Sequence, residues 1–142
     1  MQVVTSVSSA FPKSKRLLRH ADFQRVYQSG RRQFTGNMTV FFLRRSETAE
    51  GGEESLRVGF TVGRVLGGAV ERNRIKRRMR EAVRSSWPAN QAAVDVVFNP
   101  RRSVLELPFA DVAQEVSRGL QLAIQRARTP QEAQPAKPGK RK

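Results

Sequence analysis

The hydrophobic positions of this chain fall into separate blocks, and the period within each block predicts an element. Phe23, Val26 and Tyr27 stand at i, i+3 and i+4, one face of a short helix, with Asp22 placed to cap its start and Gly30 to stop it. Met38 to Leu43 (MTVFFL) is β-branched and aromatic at successive positions, which predicts a strand apolar on both faces. Leu56 to Val62 (LRVGFTV) alternates and reads as a second strand, with Asn37 and the Gly51-Gly52 pair supplying turns around the two. A glycine-rich connection, Gly63 to Gly68, leads into a long helix from Val70 to Ser86, ended by Trp87-Pro88. Ala93 to Phe98 (AVDVVF) is a further strand halted at Asn99-Pro100. Pro108 opens a last helix to Ala127, with Phe109, Val112, Val116, Leu120 and Ile124 at helical spacing. The order α, two or three strands, α, β, α places the chain in the α+β class as a two-layer α/β sandwich.

The middle helix carries the most information. At about 100° per residue, Ile75, Met79, Ala82 and Val83 gather on one side, and Asn73, Lys76, Arg77, Arg80 and Arg84 fall on the opposite arc. Glu71 to Arg84 holds seven positive charges against two negative ones. A solvated face that served only solubility would mix signs, because like charges at i and i+4, such as Lys76/Arg80 and Arg80/Arg84, destabilise a helix. A polyanion bound to that face relieves the repulsion. The preceding Gly67-Gly68 allows close backbone approach at a helix N-terminus, yet no Gly-Lys-Ser/Thr follows and the segment is not a phosphate loop.

Composition strengthens this picture and removes alternatives. The 142 residues suit one domain, with residues 1–14 a flexible arm, 15–127 the folded unit and 128–142 a basic disordered tail ending Lys140-Arg141-Lys142. Twenty-seven Lys and Arg against twelve Asp and Glu give +15 and a pI of 11.7, a field that seeks a polyanion. Ser46 to Ser55 holds four of the twelve acids, so the remaining body is more basic still. Inside the domain arginine dominates lysine, and a guanidinium forks onto phosphate and stacks on bases, which favours nucleic acid over an acidic lipid or protein.

No apolar run approaches the ~20 residues of a membrane span, and Met1 to Ala10 lacks the pattern of a signal peptide. The absence of cysteine fits a reducing cytoplasm and excludes disulfides, thiolate chemistry and cysteine-bound zinc. His20 is the only histidine, and Asp22, Asp95 and Asp111 are scattered without paired-carboxylate spacing. We therefore assign no catalytic residue and no metal ligand to this chain.

Arg72-Asn73-Arg74, followed by Ile75-Lys76-Arg77 and Arg80-Glu81, resembles the signature of the bacterial ribonuclease P protein family. Arg16-Leu17, Asp22-Phe23 with Val26-Tyr27, Gly30-Arg31, the strand Arg57 to Val62, Gly67-Gly68-Ala69-Val70 and Asp95-Val96-Val97 resemble further family motifs in the same order, over residues 15–127. Two segments depart from it. Gly63-Arg64-Val65 stands where Ser-Lys-Lys is common, and Asn99-Pro100 replaces a small residue followed by arginine.

The resemblance implies about three helices around a four-stranded mixed sheet with a left-handed βαβ crossover, against the usual handedness. It also implies a role as subunit of a cytoplasmic ribonucleoprotein endonuclease. Its partners are a catalytic RNA, which carries out the hydrolysis with Mg2+, and precursor tRNA, whose 5′ leader is removed. It implies that Arg72, Asn73, Arg74, Lys76, Arg77 and Arg80 bind the catalytic RNA, with Arg64 and Arg31 as additional RNA contacts. The resemblance further implies that Phe23 and Tyr27 line a cleft for the single-stranded leader; their residue pattern alone suits core packing at least as well. Four rival readings stand beside this one. A structural RNA binder shares the charge and fold class. A helix-turn-helix regulator needs a helix, not a strand and glycine-rich loop, before Val70. An autonomous protein nuclease lacks the acid cluster. A membrane-surface helix is disfavoured by the narrow apolar face of Ile75, Met79 and Val83.

Overall fold

The computed structural model describes residues 16–17, 19–45, 56–88 and 93–128. The expected N-terminal arm, the acidic segment 46–55 and the basic tail from residue 129 lie outside the described residues. The elements are α1 (His20–Ser29), β1 (Arg31–Phe34), β2 (Met38–Arg44), β3 (Leu56–Phe60), α2 (Ala69–Ser85), β4 (Val94–Pro100) and α3 (Phe109–Arg128). Short 3-10 turns at Arg64–Leu66 and Arg102–Leu105 precede α2 and α3.

The four strands form one mixed sheet in the order β1-β2-β4-β3. β1/β2 and β2/β4 are antiparallel, and β3/β4 is parallel with α2 as the crossover. The hydrophobic pattern located the long elements to within a residue or two, except that α1 begins at His20, three residues before Phe23. β1 is the strand that the pattern did not resolve, since Arg31-Arg32-Gln33-Phe34 has a single apolar residue. β4 runs through Asn99 and Pro100 instead of halting there. Pro100 pairs with Met38 two positions beyond Phe98, the last β4 residue paired with β3, so its missing N–H interrupts no ladder on that side.

The two faces of the sheet are used differently. Met38, Val40 and Phe42 of β2, Leu56 and Val58 of β3 and Val94, Val96 and Phe98 of β4 face the buried stripes of α2 (Ile75, Met79, Ala82, Val83) and α3 (Val112, Val116, Leu120, Ala123, Ile124). These residues are close to fully buried, and at ~25 cal/mol per Å2 of apolar surface they are the main driving force for folding. The opposite face is thinner. There Val97 packs with Leu17 and Val26 of the α1 segment, with Phe23, Phe41 and Leu43 half-buried around them. α1 thus adds a partial third layer to the sandwich that α2 and α3 make with the sheet.

Gly59 makes that third layer possible. A Cβ there would stand 2.5 Å from Cζ of Phe23, so only glycine lets the Phe23 ring lie directly on β3. Asp22 does not cap α1. The cap position is Arg19, without a side-chain hydrogen bond, and Asp22 sits in the first helical turn, buried, facing arginines. No helix among the described residues is long and apolar enough to cross a membrane.

Candidate nucleic-acid interface

α2 buries one stripe and leaves the rest of its circumference cationic. Of its seven Lys and Arg, three are tied down. Nε of Arg72 donates to the Gly67 carbonyl at 3.1 Å, NH2 of Arg78 donates to the Leu107 carbonyl, and Arg84 pairs with Glu81 at 2.7 Å. Arg74, Lys76, Arg77 and Arg80 have no hydrogen-bond or ion-pair partner among the described residues. Arg74, Arg77 and Arg80 are exposed with Asn73 beside them, while Lys76 and Arg72 are half-buried. Among the described residues these four unneutralised cations within two helical turns form a dense positive strip, a surface whose self-repulsion a bound polyanion relieves.

The start of α2 is built to hold that strip in place. Gly67 has φ +138, in the region that favours glycine, and a Cβ there would meet NH1 of Arg102 at 2.6 Å. Arg102 donates to the Leu66 carbonyl at 2.6 Å, and Glu71 accepts the Gly68 N–H at 3.1 Å. Side chains from within α2 and from beyond β4 therefore clamp the loop, leaving Arg64 exposed at its tip.

A second surface lies on the other face of the sheet, beside α1. The two expected cleft residues have different environments. Phe23 is half-buried in the small core, over Gly59. Tyr27 is 36% exposed and stands edge-on to Phe41 with ring centroids 4.9 Å apart. Its hydroxyl lies 2.5 Å from Oγ1 of Thr61 and donates to Oδ1 of Asn99 at 3.0 Å. The ring is held at both ends, an arrangement suited to stacking against an unpaired base without prior ordering. Thr61 and Asn99 were not legible as site residues. Their partner is 34 and 72 positions away, and only the strand registers bring the three together.

Arg31 is placed apart from both surfaces. Its guanidinium lies 5.4 Å from the Phe42 ring centroid and donates to the Arg126 carbonyl at 2.8 Å, tying β1 to the end of α3. Among the described residues no group of three or more His, Asp or Glu is arranged to hold a metal ion. The buried acids are already committed. Asp22 and Asp95 pair with arginines, and Glu115 accepts from the Thr35 hydroxyl and from the Asn37 backbone and side-chain N–H groups.

Comparison with known proteins fits this geometry. The family model described as Ribonuclease P matches residues 11–123. A ribonuclease P protein component from Symbiobacterium thermophilum is 40% identical over 104 residues, covering 73% of this chain and 86% of that protein. One from Chloroflexus aggregans is 38% identical over 112 residues, covering 78% of each. Among solved structures, a ribonuclease P protein mutant from Staphylococcus aureus superposes with a TM-score of 0.66 at 27% identity, over 78% of this chain and 89% of that one. The Thermotoga maritima ribonuclease P protein gives 0.60 at 25% identity, over 82% and 98%. With its sheet order, its three helices and the Arg-Asn-Arg segment opening a cationic α2, this chain belongs to the ribonuclease P protein family.

Proposed function

We propose that this protein is the subunit of a ribonuclease P ribonucleoprotein that binds a catalytic RNA through α2 and the 5′ leader of precursor tRNA through the α1 cleft. The observation that carries the reading is the unneutralised strip Arg74, Lys76, Arg77 and Arg80 on a helix whose other cations are tied to the fold. A helix that keeps four like charges together loses stability alone and regains it against phosphate. In this reading Arg72, Asn73 and Arg64 extend the strip toward the clamped loop, and the role of Arg31 is chiefly to anchor β1. The hydrolysis and the Mg2+ belong, in this reading, to the RNA. The protein supplies charge neutralisation and substrate grip, which lowers the Mg2+ the RNA needs to fold and to hold precursor tRNA.

The test is cleavage of precursor tRNA at low Mg2+ by a bacterial ribonuclease P RNA, with and without this protein. Restored cleavage giving 5′-phosphorylated tRNA, lost on Arg74→Ala/Lys76→Ala/Arg80→Ala, is the expected result. Binding of the RNA without any rescue would make the protein a structural RNA binder. Cleavage without the RNA would overturn the mechanism.

A further inference from the structure

The face of the sheet beside α1 does not end at the cleft. Residues directly opposite one another in a sheet point to the same side, so the registers define rows across the strands. Phe34 pairs with Thr39, and Thr39 pairs with Asn99, whose side chain accepts the Tyr27 hydroxyl. The next row runs Arg32, Phe41, Val97, Gly59. Val97 lies in the small core under α1, which fixes both rows on the α1 face. A continuous path therefore leads from Tyr27 and Phe41 across β2 to Phe34 and Arg32 on the edge strand β1. From Asn99 on β4 to Phe34 on β1 is two interstrand spacings of roughly 4.8 Å, about 10 Å in all.

What stands at the end of this path needs an explanation. Phe34 is 57% exposed on an edge strand, where charged residues are the usual protection. Two guanidiniums flank its ring, with Cζ of Arg32 at 5.8 Å and of Arg101 at 6.0 Å from the centroid. Neither has a carboxylate partner among the described residues. Arg31, on the opposite face of the same strand, stacks on Phe42 and is hydrogen-bonded to the Arg126 carbonyl, so arginine–aromatic contact in β1 does not by itself require an open site. The guanidiniums of Arg32 and Arg101 differ in having no hydrogen-bond acceptor among the described residues. Neighbouring hydrogen bonds fix the platform: the Arg101 N–H donates to the Asn37 carbonyl, and Asn37 is locked to Glu115 and Ser103.

We infer that Phe34, Arg32 and Arg101 form a second stacking site for single-stranded RNA, at which the substrate leader, after crossing the Tyr27–Phe41 cleft, places a further base on the Phe34 ring and its phosphates between the two guanidiniums. An exposed ring with unpaired cations at its rim matches the chemistry of an unpaired nucleotide and is tolerant of sequence. The inference rests on the leader-cleft reading above and extends it to leader nucleotides more distant from the cleavage point.

The experiment uses the holoenzyme reconstituted with a bacterial ribonuclease P RNA and precursor tRNAs whose leaders are shortened one nucleotide at a time. Substrate Kd is measured for wild type, Tyr27→Ala, Phe34→Ala and Arg32→Ala/Arg101→Ala. Phe34→Ala is expected to weaken binding about fivefold or more for long leaders, with no loss for the shortest ones. The double arginine variant should show the same length threshold with a reduced salt dependence. The loss from Tyr27→Ala should begin at shorter leaders. Equal Kd for wild type and Phe34→Ala at every length, while Tyr27→Ala is impaired, would sink the extension and leave the cleft standing. A wild-type Kd independent of leader length would remove both. Weaker binding of the catalytic RNA alone by Phe34→Ala would place the ring on that RNA and overturn the substrate path.

Discussion

Arg57 holds Asp95 through two parallel hydrogen bonds, Nε to Oδ1 and NH2 to Oδ2, each 2.9 Å long. The pair spans the parallel β3/β4 register, and the Asp95 side chain has no solvent exposure. Arg45 adds a third hydrogen bond at 2.7 Å, and Arg25 joins Asp95 to Asp22 of α1. Two buried acids thus organise several arginines on the face that carries the cleft. The same economy recurs at Glu115, so three acids of a chain that has twelve are spent inside the fold while cations crowd its surface. The positive field that suits RNA follows from this division as much as from the arginine count.

Asp95→Ala removes the carboxylate that Arg45, only 5% exposed in its side chain, shares with Arg57. Removing one member of a buried ion pair costs roughly 3–5 kcal/mol. Urea unfolding of the variant should show a large fall in midpoint; a change within error would mean that the network contributes nothing to the fold.

Glu115→Ala should loosen the β1–β2 turn. The turn's Thr35 hydroxyl and two N–H groups of Asn37 donate to this carboxylate at 2.6 to 3.0 Å. Losing an ionised acceptor with several donors costs about 2–3 kcal/mol. Amide hydrogen exchange at Gly36 and Asn37 should accelerate more than exchange in α2.

Gly59→Ala forces a methyl group against the Phe23 ring. Overpacking of this kind costs about 1–3 kcal/mol. Because the closest clash is with Phe23, with Cβ of Leu17 next at 3.0 Å, Phe23→Ala in the same chain should recover part of the loss, giving a double-mutant cycle that is not additive.

Replacing Arg74, Lys76, Arg77 or Arg80 with glutamine should act on binding and spare the fold. Each lost phosphate contact lowers the slope of log K against log salt by about 0.7–0.9. Thermal unfolding should be unchanged or slightly improved, since like-charge pairs on α2 are relieved. A large fall in stability with an unaltered salt slope would contradict the assignment.

The site divides along the same line as these variants. The cationic arc of α2 was legible because a helix repeats every 3.6 residues, so Ile75, Met79, Ala82 and Val83 on one side oblige Arg77, Arg80 and Arg84 onto the other. The distinction between free and engaged cations was not legible. Arg72 and Arg78 look like their neighbours in the chain, and the Gly67 and Leu107 carbonyls that engage them are reached only in the fold. Asp22 was misread for the same reason. Its position suits a cap, but Arg25 and Arg57 converge on it once α1 lies on β3.

By itself the sequence determined the class of the fold, the bounds of its long elements, the buried stripe of α2 and the polyanion-seeking charge. These are properties of local period and composition, which a chain carries before it folds. Tertiary structure alone decided the sheet order, the partition of helices between its two faces, the latch of Tyr27 by Thr61 and Asn99, and the placement of Phe34 at the end of that row. Each depends on which distant strands come to lie side by side. Strand partners are chosen by burial and packing across the whole core, and no local pattern encodes them.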